Sequence, residues 1–394
     1  MSDTPRGSTG PHDLKVTISV DAMGGDEGPA SVVEGCARSA ARNPLIAFIL
    51  HGDETVLTPL VARHDALAGI TQIQHSPDVV SMDDKPAQVM RHGRTTSMWA
   101  TLSSVHDGAA QAAVSCGNTG ALMAVSMLRL RKLSGVHRPA IACLWPSRGA
   151  SGFNTMLDVG ADVRADEESL LQYALMGSAY YRNAFDSPRP RVGLLNVGTE
   201  EHKGRGEIKE AARLIADAAE LGRYDFVGFV EGNDLPSAHV DVIVTDGFTG
   251  NIALKTAEGT ARLISDSLRE ELTASIWSKA SALLASAPLG RLKRRMDPRR
   301  MNGGVFLGLN GTVVKSHGAA DATGVSAAIK LAFRLAQSGF QDRMAERLAR
   351  VSDGLHAQEI DTPEGSPDTP ETESAAQDGA QAPKSQGKEV DPRT

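Results

Sequence analysis

The sequence predicts an α/β protein: a mostly parallel sheet covered on both faces by helices. Three observations predict it. Short apolar stretches with little inside–outside alternation recur along the chain, as strands buried on both faces require. Helical patterns separate them, which is how parallel strands are joined. Glycine, asparagine, threonine and aspartate gather just after a strand and just before a helix, at the carboxyl edge where open α/β sheets bind ligands.

Taken in order, Leu14–Val20 (LKVTISV) is the first strand, running into Asp21-Ala22-Met23-Gly24-Gly25-Asp26 and a helix through Val33 and Ala41. Leu45–Leu50 is the second and ends at His51-Gly52-Asp53. Ala112–Ser115 leads to Gly117-Asn118-Thr119-Gly120 and a helix rich in Ala, Met and Leu. Arg191–Asn196 leads to Gly198-Thr199-Glu200-Glu201, with a helix from Glu207 onward. Phe226–Val230 leads to Glu231-Gly232-Asn233-Asp234. Val240–Val244 runs into Asp246-Gly247-Phe248-Thr249-Gly250-Asn251 and a long helical pattern. These turns together predict one ligand-binding edge.

The flanks differ in composition. Residues 1–14 are polar, without the apolar run of a secretory signal, and are expected to form a disordered arm. From Ala357 to Thr394 the chain is rich in Pro, Glu, Asp, Ser, Thr and Gln. So little apolar surface cannot offset the entropy of ordering, and a disordered acidic tail is expected there. The folded part is expected over residues 15–350. A net charge of −7 argues against a general affinity for nucleic acid. Three widely spaced cysteines, Cys36, Cys116 and Cys143, show neither metal spacing nor a disulfide framework, so a reducing cytoplasm is expected. No stretch approaches the roughly 20 apolar residues of a membrane-spanning helix.

The turns are rich in hydrogen-bond donors. Ser115–Ala121 (SCGNTGA) reads as a phosphate cradle, because Gly117 and Gly120 admit close backbone approach and a helix start favours an anion. It reads equally as a plain N-cap by Asn118 or Thr119. No GxxxxGK[ST] and no strand-linked GxGxxG is present, which disfavours Walker-type and dinucleotide sites. No GxSxG elbow, no HExxH and no Cys–His pairing is legible either. What remains is a set of donors, Lys203, Asn118, Asn251, Lys315, Ser316 and His317, suited to a phosphate and a developing oxyanion.

Seven segments then appear in a telling order: DAMGGD (Asp21–Asp26), SCGNTGALMA (Ser115–Ala124), Arg138-Pro139-Ala140, LDVGAD (Leu157–Asp162), NVGTEEHKG (Asn196–Gly204), VTDGFTGN (Val244–Asn251) and LGLNGTVVKSHGAAD (Leu307–Asp321). In this the chain, over roughly Lys15–Gln341, resembles the bacterial phosphate acyltransferase (PlsX) family. The resemblance implies a three-layer α/β/α sandwich like that of phosphotransacetylases and isocitrate/isopropylmalate dehydrogenases, assembled as a homodimer. It implies acyl transfer from acyl-acyl-carrier-protein to inorganic phosphate, without metal or organic cofactor, giving acyl phosphate for a membrane glycerol-3-phosphate acyltransferase.

The resemblance also implies residues. Lys203 and Asn251 are expected to be catalytic, polarising the thioester carbonyl or holding phosphate. Asp21, Gly24, Gly25, Asp26, Gly117, Asn118, Thr119, Gly120, Thr199, Asp246, Thr249, Gly250, Lys315, Ser316 and His317 are expected to line the phosphate and thioester pocket. Asp21 and Asp26 either orient donors or cap the following helix. Arg205-Gly206-Glu207 departs from the Asn-Glu-Leu common in the family, and Cys116 stands where the family usually has Ala. Alternatives of other classes are a β-decarboxylating dehydrogenase on the same fold and a non-enzymatic scaffold for lipid synthesis at a membrane surface.

Residues 273–300 carry a further signal. Ile276, Trp277, Ala280, Leu283, Leu284 and Ala287 fall on one face at helical spacing. Arg291, Lys293, Arg294, Arg295, Arg299 and Arg300 follow, opposed only by Asp297. The pattern suits an anchor on an anionic membrane, and equally a dimer interface with the basic run as a solvated turn or a dock for the acidic carrier protein.

Overall fold

The computed structural model describes residues 15–296 and 303–361. The expected N-terminal arm and most of the expected tail lie outside these residues. Among the described residues eleven strands form one sheet. They are β1 (Val16–Asp21), β2 (Ile46–Gly52), β3 (Thr71–His75), β4 (Ala112–Ser115), β5 (Ala140–Pro146), β6 (Phe153–Leu157), β7 (Arg191–Leu195), β8 (Asp225–Val230), β9 (Val242–Val244), β10 (Gly304–Leu307) and β11 (Thr312–Lys315). Their order across the sheet is β3-β2-β1-β4-β11-β10-β5-β6-β9-β7-β8.

Lack of alternation has the expected cause. In β4, Ala112 and Val114 face one core and Ala113 the other. In β11, Val314 faces the first core and Val313 the second. Helices α1 (Gly28–Ala40), α2 (Glu54–Val61), α6 (Glu167–Phe185), α7 (Gly206–Asp217), α8 (Ala219–Gly222), α12 (Ala322–Gln337) and α13 (Phe340–Asp361) accompany the first. Helices α3 (Pro86–His92), α4 (Ser97–His106), α5 (Thr119–Arg129) and the start of α9 (Gly247–Thr273) accompany the second. The close fit has a sequence cause in α1, where a side chain at Gly35 would meet Val325 of α12 at 2.6 Å.

Two expectations are corrected. The turns do not share one carboxyl edge. β1, β2, β3, β4 and β11 run parallel, but β10 is antiparallel to both β11 and β5, and β5 pairs antiparallel with β6. β6, β9, β7 and β8 therefore run parallel to one another and opposite to the first block. The reversal comes from the β5–β6 hairpin, closed by Ser147–Gly152. The second correction is at the C-terminus: α13 continues to Asp361, into the segment expected to be structureless from Ala357.

From the second block projects a helical arm. α9 is 27 residues long, about 40 Å at 1.5 Å per residue, and buries only Gly247 and Gly250. α10 (Ile276–Leu284) buries nothing, and α11 (Ser286–Met296) follows a break at Ala285. The apolar stripe is therefore split, with Ala287 on a separate helix. Arg299 and Arg300 lie outside the described residues.

Candidate active site

The first block gathers three turns around two buried charges. Asp21, at the end of β1, accepts from the Ser97 hydroxyl at 2.6 Å and the Ser115 hydroxyl at 2.7 Å. Ser115 Oγ in turn accepts from the Gly117 N–H at 3.0 Å. Burial pushes the Asp21 carboxyl up, against the pull of these hydrogen bonds. Asp21 thus orients donors. Neither it nor Asp26 caps the following helix, whose N-cap is Glu27, and Asp26 instead donates its N–H to Gly318 O at 2.8 Å.

Gly24 and Gly25 are where the turns meet. A Cβ at Gly24 would sit 2.5 Å from Asp21 Oδ2 and 2.9 Å from Gly117 N, and at Gly25 2.8 Å from Cys116 Cβ. Opposite them, Lys315 ends β11 in register with Ser115. Its buried ammonium donates to Cys116 O at 3.3 Å and to Ser316 O. Ser316 N–H continues the ladder to Ser115 O at 2.9 Å.

Asn118 caps the helix that follows it. Its Oδ1 accepts from Ala121 N at 3.0 Å, capping α5, and its Nδ2 donates to Met82 O at 2.8 Å and Asp84 O at 3.1 Å. The side chain fastens the 81–84 loop and has no N–H to spare for an anion. Thr119 and Gly120 stand exposed at the first turn of α5.

The second block builds a separate cluster. Asp158 follows β6, and its carboxylate accepts from Ile141 N at 2.9 Å, Gly160 N and Ala161 N at 3.1 Å, and Asp162 N at 2.6 Å. The LDVGAD stretch is thereby folded onto its own aspartate. Against it lies α9: Gly247 N–H donates to Asp162 O at 2.7 Å. Asp246 caps α9 through Thr249 N at 2.8 Å and pairs with Arg205 at 2.9 Å. Each of its oxygens accepts one of these hydrogen bonds, Oδ1 from Thr249 N–H and Oδ2 from Arg205 Nη2. Asn251 is the fifth residue of α9; its exposed amide makes no hydrogen bond among the described residues and passes 3.8 Å from the Cβ position of Gly160.

Lys203 belongs to this cluster too. Its ammonium pairs with Glu200 at 2.8 Å, which raises its pKa and keeps it charged. Its chain lies directly across Gly198, where an added Cβ would meet Lys203 Cδ at 2.3 Å. Thr199 is exposed beside it. Val197, Phe248 and Ile252, all exposed and apolar, stand on the same two turns.

α9 joins the clusters. Eleven residues beyond Gly247, about 16 Å along the axis, Glu258 pairs with Lys255 at 2.9 Å and faces His317 Nε2 at 3.9 Å. The neighbouring His317, then Lys255, holds the Glu258 carboxyl down at about 2. Sequence reading missed Lys255 and Glu258, because nothing local marks which face of a long helix crosses a distant turn.

Comparison with known proteins decides the family. Residues 16–343 match the profile of the family described as "Fatty acid synthesis protein". A curated phosphate acyltransferase of Paracoccus denitrificans is 69% identical over 335 residues, 85% of this chain and 90% of that protein. One from Dinoroseobacter shibae is 65% identical over 355 residues, 89% and 92% of the two chains. This chain belongs to the phosphate acyltransferase family. It is an acyltransferase. Among solved structures, the EutD phosphotransacetylase of Staphylococcus aureus superposes with a TM-score of 0.54 at 16% identity, covering 83% of this chain and 96% of that one. A phosphotransacetylase of Streptococcus pyogenes gives 0.55 at 16% identity, covering 82% and 95%. The expected likeness to the phosphotransacetylase fold is borne out.

One prediction follows from the enzyme's buried lysine. Burial lowers the Lys315 pKa from 10.5 to about 8, with Cys116, Asp21 and Asp26 opposing the shift and Lys255 adding to it. Below pH 8 both folded and unfolded chains carry the proton, and the burial penalty stands in full. Between pH 8 and 10.5 the unfolded chain holds a proton the folded one has released, so stability rises with pH. The unfolding free energy of wild type minus that of Lys315→Met should climb through this window. A flat difference would show that Lys315 does not titrate there.

Proposed function

We propose that the enzyme transfers a fatty acyl group from an acyl-carrier-protein thioester to inorganic phosphate. Acyl phosphate would be the product, consumed by a membrane glycerol-3-phosphate acyltransferase in phospholipid synthesis. One observation carries the reading: an ammonium and an uncommitted amide, Lys203 and Asn251, stand on adjacent turns edged by exposed apolar Val197, Phe248 and Ile252. Charge-stabilising donors beside an apolar lip suit a thioester whose acyl chain is apolar and whose carbonyl gains charge.

In this mechanism a phosphate oxygen attacks the thioester carbonyl. The carbonyl oxygen becomes an oxyanion, held by Lys203 and Asn251. Collapse breaks the C–S bond, and the carrier leaves as thiolate and takes up a proton. Phosphate is already substantially dianionic near neutral pH, so juxtaposition and oxyanion stabilisation are the protein's contribution. The Asp21–Ser115–Lys315 knot holds the Gly24, Gly25 and Gly117 turns as a second wall, with Ser316 buried behind it and His317 and Thr119 at its rim. Incubation with acyl-carrier thioester and phosphate should give acyl phosphate, trapped by hydroxylamine. Recovery of free fatty acid alone would contradict the assignment.

The arm serves the expected associations. Leu263, Ile264 and Leu268 of α9 are exposed and suit a homodimer contact. Trp277 and Leu284 of α10 are 81% and 88% exposed and suit an anionic membrane surface, aided by the basic residues that follow. Wild type should co-sediment with anionic liposomes, less so as salt rises. Trp277→Ser with Leu284→Gln should abolish this while the dimer and activity on soluble substrate persist. If the pair of substitutions dissociates the dimer, or vesicles never retain wild type, α10 is not a membrane contact.

A further inference from the structure

We infer that Arg205 is a positioning residue for Lys203, acting through Asp246; the inference rests on the catalytic reading of Lys203 and Asn251 above. The Asp246 carboxylate divides its oxygens. Oδ1 accepts from Thr249 N at 2.8 Å and so fixes the start of α9, whose fifth residue is Asn251. Oδ2 accepts from Arg205 Nη2 at 2.9 Å and so fixes the loop after β7, which carries Lys203. One buried group, its side chain 8% exposed, thereby sets the spacing of the two donors.

The Lys203 loop is itself closed at its base. Asn196 Nδ2 donates to Gly198 O at 3.1 Å and to Lys203 O at 3.2 Å, spanning the loop from end to end. Gly204 packs on that amide with φ near +90°, leaving no room for a Cβ, which would lie 2.3 Å from Asn196 Oδ1. The loop therefore moves as a unit, and Arg205, two residues from Lys203, is its tether to the α9 cap. Arg205 is itself 65% exposed, so its loss leaves the cap and the fold intact while freeing the loop to shift. Small misplacements of a group that must meet a reacting atom cost far more in rate than in stability.

The test is a double-mutant cycle at saturating acyl-carrier thioester and phosphate. Arg205→Met should lower kcat about tenfold, short of the roughly 10²-fold cost of a 1 Å misplacement, with the KM for phosphate and thermal unfolding close to wild type. Arg205→Lys, which can make the same single contact, should restore most of the lost kcat. In a Lys203→Ala background Arg205→Met should change kcat by less than about twofold, because nothing is left to position. Wild-type kcat in Arg205→Met, or an equal loss in both backgrounds, overturns the positioning role and leaves Lys203 catalytic. If Lys203→Ala itself turns over normally, the catalytic reading fails and the positioning role falls with it.

Discussion

Lys203→Ala and Asn251→Ala are each expected to lower turnover by about 10²-fold or more, the scale for removing one well-aimed oxyanion donor. Neither side chain is buried, and neither holds the fold together. Lys203 pairs with exposed Glu200, and surface pairs of this kind contribute little to stability. Asn251 makes no hydrogen bond among the described residues. Both variants should therefore unfold with wild type while failing in catalysis. The double variant should lose less than the product of the single losses, since two donors on one oxyanion act as a unit. Steady-state kinetics beside thermal melts check this. A folded Lys203→Ala enzyme with near-normal turnover would return that lysine to an ordinary solvated loop residue.

Gly250→Ala is expected to be the most damaging single methyl in the chain's second cluster. A Cβ there would lie 1.9 Å from the main-chain oxygen of Asp158 and 3.0 Å from Thr245 Cγ2. No rotamer relieves contact with backbone, so α9 must lift away from the LDVGAD turn. Forced packing of this kind costs about 1–3 kcal/mol, and the lift moves Asn251, one residue on, out of reach of the reacting carbonyl. Activity should fall about 10²-fold, as for a 1 Å misplacement, alongside a lowered denaturation midpoint. Gly259→Ala is the control. It lies in the same helix with no atom within 4 Å of an added Cβ, and should gain up to about 1 kcal/mol by helix propensity alone. Equal stability and activity in Gly250→Ala would mean that the α9–Asp158 contact does not hold the site.

Much of this was legible in the residues. Ala112–Ser115 is the strand and Asn118 the cap that periodicity and capping chemistry predict, because both signals are local. Val240–Val244 and the turn after it were readable for the same reason, with Asp246 as the cap of the helix that follows. Strand direction was not legible. ACLWP and FNTML carry a hairpin signal in the Ser147–Gly152 turn between them, but whether a hairpin reverses the sense of the strands beyond it depends on sheet order. That order rests on contacts far apart in sequence, such as β11 against β4.

The double duties of Asp21 and Asp246 were hidden likewise. A sequence shows an aspartate in a polar turn; it does not show that Ser97, 76 positions away, or Arg205, 41 positions away, will take one of its oxygens. Nor did the apolar stripe of residues 276–287 reveal its break at Ala285, since alanine is a good helix former.

The central claim is that phosphate, not a side chain, is the nucleophile, and release of carrier thiol in the absence of phosphate tests it most directly. Enzyme at micromolar concentration is mixed with acyl-carrier thioester, and free thiol is followed from the first turnover. The account predicts no release without phosphate, neither in steady state nor as a burst, and release matched mole for mole by acyl phosphate once phosphate is added. A burst equal to the number of active sites would reveal a covalent acyl-enzyme, and steady release without phosphate would reveal a hydrolase; either result contradicts direct attack by phosphate.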